Sequence, residues 1–224
     1  MRVVAGLSVL LATACSEGVA GQPDPGPGSG PGAADPSEPA GAEQNRDPST
    51  RIAGVVRVDY PAGEHTAAGQ RVAYDKSPPF GGPHDPVWAD CTGIVYPKAV
   101  RNEHMVHALE HGTVWIAYHP DQVTGAALDK LESKVEGQQY LMLSPYPGLD
   151  RPISLQSWGH QLKLDSADDA RIDQFIKALR ANQYQAPEPG ARCDTADPTV
   201  FDVTNPPPLD TTPPGPDAMP VQPR

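Results

Sequence analysis

Apolar and polar positions along the chain change rhythm several times, and the changes mark the elements. Residues 52–58 (IAGVVRV) and 70–74 (QRVAY) alternate loosely and predict two short strands. Residues 77–88 (SPPFGGPHDPVW) interrupt every regular pattern and predict a loop held in one shape by its own prolines. A short strand is expected over 93–96. Residues 101–111 (RNEHMVHALEH) read as a helix stopped by Gly112, because glycine readily takes the left-handed conformation that ends many helices. Residues 113–118 (TVWIAY), rich in β-branched and aromatic side chains, predict a central strand. A second helix over 124–136 sets Ala127, Leu128, Leu131 and Val135 on one face, with Gly137 as its stop. Strands follow at 140–143, 153–158 and 161–164, the last two joined near Gly159. A helix over 167–181 places Ile172, Phe175, Ile176 and Leu179 at the spacing of a buried stripe. Ser166 is its expected N-cap, with Asp168 and Asp169 in the first turn. Strands interleaved with three helices predict an α+β domain, a mixed or antiparallel sheet covered on one face by about three helices.

Composition changes the picture at the two ends. The chain carries 28 prolines and 21 glycines, and the excess sits at 16–50 and 196–224, where large apolar side chains are few. Neither stretch is expected to bury enough surface to offset the entropy of ordering its backbone. The expected division is a leader over 1–14, a disordered tether over 15–50, a globular domain over 51–195 and a disordered tail over 196–224. The leader, MRVVAGLSVLLATAC, has one positive charge and an apolar run too short to span a bilayer, the pattern of a signal peptide. Ala12, Thr13 and Ala14 before Cys15 resemble a lipobox, although Ala12 stands where leucine is usual. Lipidation of Cys15 would anchor the chain to a membrane on the extracytoplasmic side of the cell envelope; an ordinary secretory signal is the alternative.

The net charge of -11 argues against nucleic acid, whose phosphates call for basic patches, and against electrostatic attachment to anionic lipid. It is compatible with gathering cations. With Cys15 lipidated, Cys91 and Cys193 remain. An even pair in an oxidising compartment is most simply a disulfide, with a thiolate metal ligand or redox thiol as the alternative.

Chemistry concentrates in the first helix. His104, His107 and His111 fall within roughly 60° of each other on one helical face. Imidazoles on neighbouring turns can share one metal ion, and imidazole suits zinc, copper, nickel or iron. His84 on its proline-rich loop and His65 are further candidate ligands. The bland alternative is histidines satisfied by hydrogen bonds in the core or at the surface. Met105 and Met142 offer thioethers for reduced copper but read more simply as core fillers. His107-Ala-Leu-Glu110-His111 also matches the H-x-x-E-H string of inverted zinc metallopeptidases, in which the glutamate activates water. Against that reading, the helix stops at Gly112 and no third ligand is evident on a second long helix. No phosphate loop, dinucleotide fingerprint or nucleophile elbow is present.

Six separated motifs together carry a resemblance: G-P-H-D-P-x-W (82–88), C-x-G-x-x-Y (91–96), V-H-x-L-E-H-G-x-V-W-I-x-Y (106–118), P-Y-P-G-L (145–149), S-W-G-x-Q-L (157–162) and P-E-P-G-A-x-C (187–193). In this order they resemble the bacterial domain-of-unknown-function family 3105, over roughly 60–195. The resemblance implies an exported or membrane-attached protein but no reaction. It also implies a metal-ligand set of His65, His84, His107 and His111, with His104 held in reserve, and it matches both Cys91 and Cys193. The expectation is therefore a non-catalytic envelope lipoprotein that handles copper or zinc. One alternative is a metal-dependent hydrolase or oxidoreductase with Glu110 as base. The other is a structural or interaction module without metal.

Overall fold

The computed structural model of the protein describes residues 46–195, 197 and 199–224. The expected leader, the lipidation site at Cys15 and nearly all of the expected tether lie outside these residues. After a 3-10 turn at Pro48–Arg51, the elements are β1 (Val56–Arg57), β2 (Val72–Ala73), β3 (Thr92–Val95), α1 (Asn102–Glu110), β4 (Val114–Tyr118) and α2 (Ala126–Val135). Then come β5 (Leu141–Pro145), β6 (Ile153–Ser157), β7 (His160–Leu164), α3 (Arg171–Leu179) and β8 (Met219–Pro220). The fold is α+β. Six strands form one mixed sheet in the order β1-β7-β6-β4-β5-β3, and β2 with β8 forms a small parallel pair. Within the large sheet β3, β5 and β4 run parallel, while β6, β7 and β1 join antiparallel.

The strand at 114–118 lies inside the sheet, as its composition predicts, and it explains the layering. Val114 and Ile116 enter a core beneath α2 and α3; Trp115 and Ala117, pointing the other way, enter a second core with α1. β5 repeats this with Leu141 and Leu143 on one side and Met142 on the other. Strands apolar at every position need cover on both faces. The expected single covered face is therefore corrected: α1 covers one side of the sheet, α2 and α3 the other.

Two further expectations change. The last helix begins at Arg171, because Ser166 instead accepts the Asp168 N–H within a preceding turn, and Asp169 accepts the Arg171 N–H at the start of the helix. The segment beyond 196, expected as a disordered tail, is laid across the domain. Phe201 is buried against Tyr96 and His104. The Arg101 N–H donates to Pro207 O (2.8 Å), the Leu209 N–H to Ala99 O (3.1 Å) and the Met219 N–H to Arg71 O (2.9 Å). A few spaced apolar side chains find slots, and prolines lower the entropy lost on ordering. No helix among the described residues is long and apolar enough to cross a membrane.

Candidate metal centre

α1 is buried from Glu103 to Glu110. Met105, Val106, Ala108 and Leu109 join the core that also holds Trp115 and Met142. The helix ends where the sequence predicts: Gly112 has φ +99, and its N–H donates to Leu109 O. The histidines of α1 meet the loop around 82–89, whose backbone carbonyls receive them. The His104 ring donates from Nδ1 to Val87 O and the His107 ring from Nδ1 to Asp85 O, both at 2.7 Å. His84, within that loop, donates from Nδ1 to Gly82 O at 2.9 Å. A carbonyl oxygen can only accept, so these rings carry their hydrogen on Nδ1 and, when neutral, keep a lone pair on Nε2. Orientation of one ring nitrogen by a carbonyl is how metal-ligating histidines are commonly held.

A second loop brings His65 to the same place. His65 and His84 pair as a parallel β-bridge, with the Thr66 N–H donating to His84 O (2.8 Å) and the His84 N–H to Glu64 O (3.0 Å). Glu110 secures this loop from below by accepting the Gly63 N–H on Oε1 (2.5 Å). The His65 ring stacks on His107 at 4.9 Å and meets His84 edge-on at 5.0 Å. His65, His84, His107 and Glu110 thus bring one donor atom each within 4.8 Å of one another; His65 is exposed and the other three are buried. Donors of a tetrahedral ion with bonds of about 2.0–2.2 Å lie roughly 3.3–3.6 Å apart, so small side-chain movements close the set.

One contact within this group is chemically incomplete. His84 Nε2 and Glu110 Oε2 lie 2.9 Å apart, both side chains fully buried. Neither atom has an aligned hydrogen bond. With the His84 hydrogen on Nδ1, two lone pairs confront each other in the buried interior. That arrangement calls for a positive centre, a proton or a metal cation, between them. The surrounding charges suit a cation. Burial holds His107 neutral, pushing its ring down to about 3. Burial pushes the Glu110 carboxyl up, but His84, the Gly63 N–H and His107 outweigh it and hold Glu110 below the usual carboxylate range.

His111 belongs to an adjoining group. It sits at the C-cap of α1, where its donor, one from His107 and one from Glu188 lie within 4.8 Å of one another. His111 Nε2 is 3.6 Å from Glu188 Oε2. Burial pushes the His111 ring down, against the opposing pull of the Glu188 charge. The turn carrying Glu188 is tied to the helix end by its N–H donating to Glu110 O (3.0 Å). The disulfide Cys91–Cys193 and the Cys91 N–H to Cys193 O bond fix the chain just beyond. Trp88 lies against both His107 and His111, at 5.5 and 5.1 Å.

The structure therefore brings His65, His84 and His107 together, adds Glu110, and places His111 in a second group that shares His107. His104 stands apart, its ring between Val87 O, Arg101 and Phe201. Glu110, which from sequence could be a hydrolase base, a group orienting an imidazole or a salt-bridge residue, lies among the donors. Glu188 was not singled out, although it lies inside the P-E-P-G-A-x-C motif; its meeting with His111 depends on a fold-back across much of the chain. The cysteines form a disulfide, not a thiolate ligand pair.

A family model described as "Protein of unknown function (DUF3105)" matches residues 65–195, more than half of the 224-residue chain. No curated protein matches the chain. No solved structure matches it.

Proposed function

We propose that this chain, which belongs to the DUF3105 family, is an exported, lipid-anchored protein of the cell envelope that binds one first-row transition-metal ion, copper or zinc, without catalysing a reaction. The observation that carries the metal reading is the buried His84–Glu110 contact at 2.9 Å, with His107 and His65 converging on it. Three imidazoles and one carboxylate are donors that zinc and divalent copper accept readily. Glu110 stands within the donor set and tied to Gly63, which favours a ligand over a free base. The leader pattern ending at Cys15 supports export and anchoring, and the Cys91–Cys193 disulfide suits an oxidising compartment.

The test is elemental analysis of the purified full chain after exposure to zinc or copper. The wild type is expected to retain about one equivalent and to gain thermal stability on metal addition, because an ion that binds only the folded state stabilises it. The His84→Ala/His107→Ala double variant is expected to do neither. Equal metal content and equal thermal shifts in the two proteins would remove the reading.

A further inference from the structure

We propose that His111 and Glu188 form the entrance to the metal site, where an incoming divalent transition-metal ion is first held and from which it passes through His107 to His84, Glu110 and His65. This rests on the metal-binding reading above and adds a route to it.

His107 belongs to both donor groups. Its Nδ1 hydrogen is committed to Asp85 O at 2.7 Å. One lone pair remains, on Nε2, so the ring serves one ion position at a time. The two groups are therefore alternative seats for one ion. His107 stands midway between them: its ring centroid is 4.8 Å from that of His111 and 4.8 Å from that of His84.

The outer seat presents an exposed carboxylate, whereas the inner seat reaches the surface only at His65. The Glu188 side chain is 47% exposed, whereas those of His84 and Glu110 are 0% exposed. A carboxylate at the surface attracts a hydrated cation and can replace part of its water shell. His111 is itself buried, and its Nε2 faces Glu188 Oε2 at 3.6 Å. Trp88 packs against both His107 and His111, beside the step between the two seats. Moving inward, the ion keeps its bond to His107, releases His111 and Glu188, and gains His84, Glu110 and His65. The exchange breaks and forms coordinate bonds only. It moves no electron, and it ends with four protein donors in place of three, which gives it direction.

The experiment uses cobalt(II) as a spectroscopic probe on the full chain, with stopped-flow association, chelator-driven release and equilibrium titration. Wild type, Glu188→Gln and His111→Ala are compared, with His84→Ala/His107→Ala as the inner control. Glu188 is surface-exposed, so Glu188→Gln carries the test even where His111→Ala folds poorly. The expected result is one equivalent bound by wild type and Glu188→Gln, with association and release both about tenfold slower in the variant and Kd nearly unchanged. An entrance lowers the barrier equally in both directions, and charge steering supplies an effect of about that size. Unchanged rates would overturn the proposal and place the route at the exposed His65. Two equivalents in wild type falling to one in Glu188→Gln would make the outer seat an independent site and overturn it too. Faster release with a weaker Kd would make Glu188 an ordinary ligand, equally against it. Failure of wild type to bind cobalt, or equal binding by the inner control, would instead remove the metal reading itself.

Discussion

Glu110 meets two demands at once: Oε1 accepts the Gly63 N–H, and Oε2 confronts His84 Nε2. Glutamine answers both differently. In Glu110→Gln the amide oxygen can keep the Gly63 bond while the amide nitrogen donates to His84 Nε2, satisfying that buried atom and removing the unpaired Oε2. The metal-free variant is expected to melt at or above the wild-type temperature, yet to bind zinc at least about tenfold more weakly in competition titration, since perturbing even the outer partners of a metal site has that effect. Loss of stability with unchanged affinity would contradict this account. Acid should act on the same residues. Burial lowers His107 to about 3 from an ordinary value of 6.5, and it lowers His104 and His111 as well. Below pH 6.5 the unfolded chain therefore binds more protons than the folded one. Stability of the metal-free protein is full above that pH and is lost as pH falls toward about 3. Urea midpoints taken across this window should decline steadily, and less steeply in His107→Gln; a flat profile would be inconsistent with neutral buried rings.

At the scale of elements, what the sequence made legible was local. Gly112 marked the end of α1 because only a left-handed residue turns the chain there, and its φ of +99 bears that out. Gly112→Ala is expected to cost about 1–2 kcal/mol in denaturant titrations, the left-handed penalty for an L-residue. The spacing of His104, His107 and His111 put all three on one helical face, but spacing alone could not tell which carbonyl each ring would meet. His104 met Val87 and His107 met Asp85, and no periodicity in α1 encodes that loop. The single covered face was misjudged because a strand buried on both sides and one buried on a single side share a high apolar content when short. Glu188 was illegible as a donor because a disulfide and a backbone bond, not any local pattern, bring it to His111. That disulfide joins residues 102 apart in sequence. Replacing both cysteines with serine is expected to lower unfolding free energy by up to about 4.7 kcal/mol on the chain-entropy account. It should also lower cobalt capture rates, since the Glu188 turn loses its covalent tether. Denaturant midpoints and stopped-flow traces on the same variant check the two effects separately.

For the whole molecule, composition misjudged the C-terminal segment. Its prolines and small polar residues suggest a chain without a core, yet Phe201 is buried beside Tyr96 and His104, and Arg71 pairs with Asp210 at 2.8 Å. Average composition cannot register a single large side chain placed where a slot awaits it. Phe201→Ala is expected to destabilise the protein by about 3 kcal/mol or more, as other buried aromatic truncations do. A change under about 0.5 kcal/mol, the level of an ordinary surface substitution, would mean the segment contributes nothing to the core.

The proposed donors are distributed from His65 to Glu188, on two loops, one helix and a turn secured by a covalent bridge. The inner donors lie within residues 65–110, but Glu188 and the bridge that secures its turn come only with the last part of the chain. The full route for the ion then exists only once folding is complete. A stray cation meeting the nascent polypeptide finds isolated imidazoles, whereas the finished domain at an ion concentration a hundredfold above Kd gains about 2.7 kcal/mol of resistance to unfolding.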